Sequence, residues 1–166
     1  MSLVTSPPPL KMQSKFMGKA IRVSQQMMRA GKGGPFGAVI VRNGTVIAKG
    51  HNQVTSTNDP TAHAEIVAIR EACKKLGTFQ LDDCELYTSC EPCPMCLSAI
   101  YWARLKKVYF ANTRQDAAAI GFDDEFIYRE IPLALNKRKL AMKQLMRKEA
   151  SVAFDEWKAK ADKILY

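Results

Sequence analysis

Two short stretches, His63-Ala64-Glu65 and Pro92-Cys93-Pro94-Met95-Cys96, constrain this chain more than any other feature. One imidazole, two thiols and a carboxylate in this spacing make a transition-metal site with a proton-transfer group beside it. Any fold of the chain must bring the two stretches together. Structural zinc sites fill all four tetrahedral positions with protein ligands. Here three good ligands converge, His63, Cys93 and Cys96, which leaves a position for water and marks a catalytic site with one zinc ion per subunit. Two thiolates offset the charge of the metal and weaken it as a Lewis acid. Glu65 must therefore act as proton shuttle, from the attacking water to the departing group. The chain reads as an enzyme.

The same spacing predicts local structure. Cysteines three apart face the same way on the first turn of a helix. Pro94 suits an early helical position, where its missing N–H would be unpaired anyway. Residues 64–76 form a second helical stretch, with Ile66, Ile69, Cys73 and Leu76 along one face. His63 and the cysteine pair then sit at two helix N-termini, whose positive ends favour thiolates. Two other ligand sets compete with this one. The run Cys90-x2-Cys93-x2-Cys96 invites an iron–sulfur cluster, but no fourth cysteine follows at the usual interval. A closed structural zinc site with Cys90 or Cys84 as fourth ligand would leave Glu65 without work beside the metal. Cys73 and Cys84 read as core thiols, Cys90 as a small residue packed near the site, and His51 as a loop or strand-end residue.

At 166 residues the chain is expected to form one domain, 1–166, with enough length for a core. Residues 1–12, with Pro7-Pro8-Pro9, read as a disordered lead that lacks the apolar core of a signal peptide. No apolar run approaches the roughly 20 residues needed to cross a bilayer. Five cysteines, an odd number, favour metal binding in a reducing compartment, the cytoplasm, over a disulfide framework. The net charge of +9 is concentrated towards the C-terminus, among Lys137, Arg138, Lys139, Lys143, Arg147 and Lys148. These alternate with apolar residues at helical intervals and read as a solvated helix face; the charge does not decide the substrate, and a nucleic-acid partner is not the expected one.

The order of elements predicts an α/β fold. Phe16, Ala20, Val23 and Met27 mark an opening helix ended by Gly31 to Gly34. Residues 37–41 and 45–48, joined by Asn43-Gly44, predict a hairpin with a type I′ turn. Residues 84–88 and 107–111 read as further strands, and strand–helix–strand repetition implies parallel neighbours in one sheet covered by helices on both faces. Residues 140–146 are ambiguous between strand and helix. Ala150, Ala153, Phe154, Trp157, Ala161 and Ile164 predict an amphipathic last helix within a C-terminal segment, residues 148–166.

With these residues in place, the chain resembles the cytidine deaminase-like superfamily of zinc-dependent nucleobase deaminases, whose H-x-E and P-C-x-x-C signature it carries. More closely it is similar to the bacterial guanine deaminases. The resemblance lies in Gly33-Gly-Pro-Phe-Gly-Ala-Val, Asp59-Pro-Thr-Ala-His-Ala-Glu, Tyr87-Thr-Ser-Cys-Glu-Pro-Cys-Pro-Met-Cys, Ala99-Ile-Tyr-Trp-Ala-Arg and Gly121-Phe-Asp-Asp, with Tyr166 at the end. It implies a three-layer α/β/α fold with a central mixed sheet. It further implies that a zinc-bound hydroxide attacks C2 of guanine, with Glu65 as shuttle, to give xanthine and ammonia. Phe36 would stack on the purine, Asn52 and Ala64 would contact it, and Asp124 would orient it and act as a second proton relay. Tyr166 would close the site, in this family often from the partner of a homodimer that exchanges its C-terminal segments. The alternatives are guanosine or another aminopurine as substrate, a tRNA adenosine deaminase suggested by the basic C-terminal segment, and a catalytically silent binding module. The intact set of His63, Glu65, Cys93 and Cys96 argues against the last.

Overall fold

The computed structural model describes residues 9–122 and 124–166. The chain divides into two compact units, Met1–Asp124 and Glu125–Tyr166. Most of the expected lead, residues 1–8, lies outside the described residues. Leu10 to Met12, expected to belong to that lead, instead form the first turn of helix α1 (Leu10–Arg29).

The first unit holds a four-stranded sheet of β1 (Gly37–Arg42), β2 (Thr45–His51), β3 (Cys84–Cys90) and β4 (Lys107–Asn112) in the order β2-β1-β3-β4. The turn between β1 and β2 has positive φ at both Asn43 (49°) and Gly44 (74°), as a type I′ hairpin requires. Strand β1 runs antiparallel to both of its neighbours, whereas β3 and β4 are parallel. The expected run of parallel neighbours is therefore interrupted. β2, β3 and β4 share one direction, and the hairpin folds β1 back between β2 and β3. Helix α3 (Ala64–Leu76) carries the chain from β2 past β1 to β3, and α4 (Pro94–Trp102) carries it from β3 to β4.

Alternation along β1 sorts the core into two halves. Ala38 and Ile40 pack with Leu86 of β3 beneath Ala64, Ala68 and Ala72 of α3 and Ile100 of α4. Val39 and Val41 point the other way and pack with Tyr87 against Phe16 and Ala20 of α1. The result is a mixed sheet with α1 on one face and α3 and α4 on the other. On α1 the buried positions are Phe16, Ala20 and Ser24, with Val23 and Met27 half-buried beside them. On α3 the predicted stripe is also only part of the buried face: Ile66 is buried, but Ile69, Cys73 and Leu76 are half-buried, and the alanines at 64, 68 and 72 lie deepest. They do so because β2 comes very close. A Cβ added to Gly50 would stand 2.0 Å from the Ala64 carbonyl oxygen.

The short helices α2 (Val54–Thr57) and α5 (Arg114–Ala119) complete the first unit. Thr113 and Asp116 form a reciprocal capping box at the start of α5. The second unit contains α6 (Glu125–Glu130), a 3-10 turn at Leu135–Lys137 and α7 (Arg147–Ala159). Residues 141–146 form neither strand nor helix. Helix α7 stops at Ala159, so Ala161 and Ile164 lie beyond the helix predicted to hold them, and none of its residues is buried. Among the described residues, no helix is long and apolar enough to cross a membrane.

Candidate active site

The two parallel connections, β2-α3 and β3-α4, deliver their helix N-termini to one place. His63 is the N-cap residue of α3 and Cys93 that of α4, with Pro94 at the first helical position. Neither side chain caps its own helix. Instead the Cys93 and Cys96 sulfurs each lie 3.6 Å from His63 Nδ1. All three ligand atoms fall within 4.8 Å of one another. Tetrahedral zinc with Zn–S of about 2.3 Å and Zn–N of about 2.0–2.1 Å sets its S and N ligands about 3.6 Å apart. The residues fit a zinc ion, with Nδ1 as the histidine donor.

Helix α3 also places Glu65 in its first turn, two residues after His63. Glu65 is 6% exposed, and burial pushes its carboxyl pKa up although hydrogen bonds from its own main chain, from Thr88 and from Cys96 oppose the shift. The Thr88 hydroxyl donates to Oε1 at 3.0 Å, and the Cys96 thiol donates to Oε2 at 3.4 Å. The cysteines are unlike one another. Hydrogen bonding from Cys96 and then from His63 lowers the Cys93 pKa to about 4, against burial. Cys96, beside that thiolate and buried, is pushed far above the ordinary thiol range. His63 is raised, first by its hydrogen bond with Cys93 and also by the charges of Cys93, Glu65 and Asp124. The cluster holds protons that a metal would displace.

The flanking loops carry the other expected residues. Asn52 is buried, and its Oδ1 accepts from the N–H groups of Gly34 and Val54, at 3.3 Å each. That commits the oxygen to the loop and leaves the NH2 group as the end able to donate. Phe36 is half-buried against the α3 side of the core, and Phe122 meets its ring edge-on with centroids 4.9 Å apart. Ala64 is fully buried in the core at the first position of α3. Asp124 closes the first unit, near enough for its charge to act on His63 and Cys90. Asp123, part of the Gly121-Phe-Asp-Asp match, lies outside the described residues. Tyr166 belongs to the second unit and is 69% exposed.

Three further residues lie beside these groups: Thr88, Ser89 and Phe122, which sit within the matched stretches although the motifs alone assign them no part. Ser89 Oγ accepts from the Gly37 N–H at 3.0 Å and so ties β3 to the start of β1, next to Phe36. The available signal was two adjacent hydroxyls in a strand buried at nearly every position. Cys90 is buried with its thiol on the Thr113 carbonyl, and Cys84 sits in the core with its thiol on Asp83, away from the ligand set. His51 is half-buried at the end of β2, paired with Gly37.

Comparison with known proteins agrees with this geometry. The family profile of the cytidine and deoxycytidylate deaminase zinc-binding region matches residues 10–112. The guanine deaminase of Bacillus subtilis is 54% identical over 91% of this chain and 97% of its own length. Its crystal structure superposes with a TM-score of 0.90, covering 92% of this chain and 98% of that one. The solved guanine deaminase of Nitrosomonas europaea gives a TM-score of 0.64 at 33% identity, covering 75% and 77% of the two chains. A tRNA-specific adenosine deaminase of Aquifex aeolicus is 46% identical over 58% of this chain and 63% of its own.

Proposed function

The chain belongs to the cytidine and deoxycytidylate deaminase zinc-binding family, and from that premise we propose that it hydrolyses guanine to xanthine and ammonia. The observation that carries the reading is the buried Glu65 carboxylate beside a three-ligand cluster, in a chain that matches a guanine deaminase along nearly its whole length. His63, Cys93 and Cys96 would hold the metal. Zinc, when bound, supplies a Lewis acid that makes water acidic and nucleophilic near neutral pH.

The protein's own groups do the rest. Glu65 takes a proton from the attacking water and delivers it to N3 of the purine, as oxygen bonds to C2. The proton of the new C2 hydroxyl then passes to the amine, so that the C2–N bond breaks, ammonia leaves and the carbonyl of xanthine forms. Burial suits Glu65 to this work, because a carboxyl with a raised pKa holds a proton longer before passing it on. Phe36, held on edge by Phe122, offers a face to stack on the flat base. The Asn52 NH2 group donates to an acceptor on the base edge, the Ala64 main-chain N–H does the same from the helix start, and Asp124 accepts from ring N–H and amino donors and relays the second proton.

The chain works as a homodimer whose second unit docks on the partner and brings Tyr166 over the pocket. The support is exposed apolar surface. Phe154 of α7 is 79% exposed, and Tyr101 of α4 is 75% exposed. The cytoplasm is the matching compartment for five cysteines used as metal ligands and packed thiols. Zinc-loaded protein offered guanine, guanosine, adenine, cytosine and tRNA tests the reading through ammonia release. Guanine must be the preferred substrate. Preference for guanosine or for tRNA adenosine would replace it.

A further inference from the structure

We infer that Thr88 is a positioning residue for the proton shuttle: its hydroxyl holds Glu65 Oε1, so that Oε2 is the oxygen turned towards the metal ligands. The hydrogen bond from Thr88 Oγ1 to Oε1 measures 3.0 Å, and Oε2 lies 3.4 Å from the Cys96 sulfur. Thr88 is 1% exposed and is pinned on both sides of β3, opposite Ala38 of β1 and Phe110 of β4. Alternation places it on the sheet face of Ala38 and Leu86, directly below the start of α3. A β-branched side chain in a paired strand has little χ1 freedom, so its hydroxyl is aimed before any ligand arrives.

A buried carboxylate needs donors in any protein, and Thr88 would meet that need without bearing on the reaction. The ligand set makes the difference. When Cys96 binds a metal it gives up its proton and can no longer donate to Oε2. Among the described residues, Thr88 is then the remaining side-chain donor to Glu65. The two carboxylate oxygens become inequivalent: Oε1 stays tethered, and Oε2 is released to exchange protons beside the metal ligands. Without the tether the carboxylate can rotate about its terminal bond, and misplacing a reacting group by about 1 Å costs on the order of a hundredfold in rate. The inference rests on the guanine reading only for its choice of substrate.

Zinc-loaded Thr88→Val, Thr88→Cys and Thr88→Ser proteins test it. Val should keep full zinc and a KM for guanine within about twofold of the parent, while kcat falls roughly 10- to 100-fold. Ser should restore kcat to within a few-fold, and Cys, a weaker donor, should fall between them. Crystal structures of the zinc forms should show Glu65 rotated in the Val protein and unmoved in the Ser protein. An unchanged kcat in Val, a rise in KM alone, or an unmoved Glu65 in Val overturns the inference. If Val does not fold, a Cys protein as fast as Ser does the same. Should the parent protein release no ammonia from guanine, the substrate reading fails, while the Glu65 orientations still decide the role of Thr88.

Discussion

At neutral pH the two cysteines of the cluster do different things before any metal binds. Cys93, with its pKa lowered to about 4, is a thiolate, and Cys96 keeps its proton. In zinc-stripped protein, alkylation of Cys93 should therefore run at nearly constant rate from about pH 5.5 to 8, where an ordinary thiol with pKa of about 8.5 gains roughly tenfold per unit. Peptide mapping by mass spectrometry reads this directly, and a Cys93 rate that climbs with pH would show that the Cys96 and His63 hydrogen bonds do not hold the charge. Glu65 is separable from the ligands. Glu65→Ala should retain zinc and lose turnover by about 10²- to 10⁴-fold, measured by metal analysis beside ammonia release. The gathering of His63, Cys93 and Cys96 beside Glu65 is legible in the sequence because metal chemistry restricts residue type and spacing together. The hold of Thr88 on Glu65 is not: the matched stretch contains Thr88, but its partner lies on another element.

Elements follow the same division between local and distant causes. The Asn43-Gly44 turn and the two helix starts are readable because each is set within a few residues. The place of β1 between β2 and β3 is not, since strand order depends on which face each crossover helix covers. Nor is the depth of the alanines on α3, which comes from the approach of Gly50 across the hairpin. That approach matters to the site, because α3 carries both His63 and Glu65 at its start. Gly50→Ala would set a methyl carbon 2.0 Å from the Ala64 carbonyl oxygen, and the backbone would have to give way. Such overpacking costs typically 1–3 kcal/mol. A urea titration should place the midpoint of Gly50→Ala well below that of the parent, and activity should fall as α3 is displaced. An unshifted midpoint would mean that hairpin and helix slide apart without strain.

At the scale of the molecule, the second unit carries much of its apolar side-chain area at the surface. Phe154, Val152 and Leu165 are each more than half exposed. Here sequence pattern alone misleads: the stripe predicted to run on to Ile164 leaves the helix at Ala159, because periodicity shows which residues share a face and not where the helix ends. Removing residues 161–166 should leave zinc content and the sedimentation coefficient nearly unchanged, while activity on guanine drops by an order of magnitude or more if Tyr166 excludes water from the site as proposed. Full activity in the shortened protein would leave Tyr166 without a part in the reaction.

The convergence of two helix starts on one cluster has a consequence for the chain before it folds. His63 and Cys93 are 30 positions apart, so an ion shared by them would cross-link the polypeptide around the whole of α3 and β3. In the language of polymer rings, such a link removes disorder from the denatured ensemble rather than adding contacts to the native one. For a covalent bridge closing a loop of this length the entropic gain is about 3–4 kcal/mol. Chelation should accordingly lower the calorimetric melting temperature even where the native circular dichroism spectrum is unchanged. Zinc would then serve this enzyme twice, once as reagent and once as a knot tied early in the search for the native state.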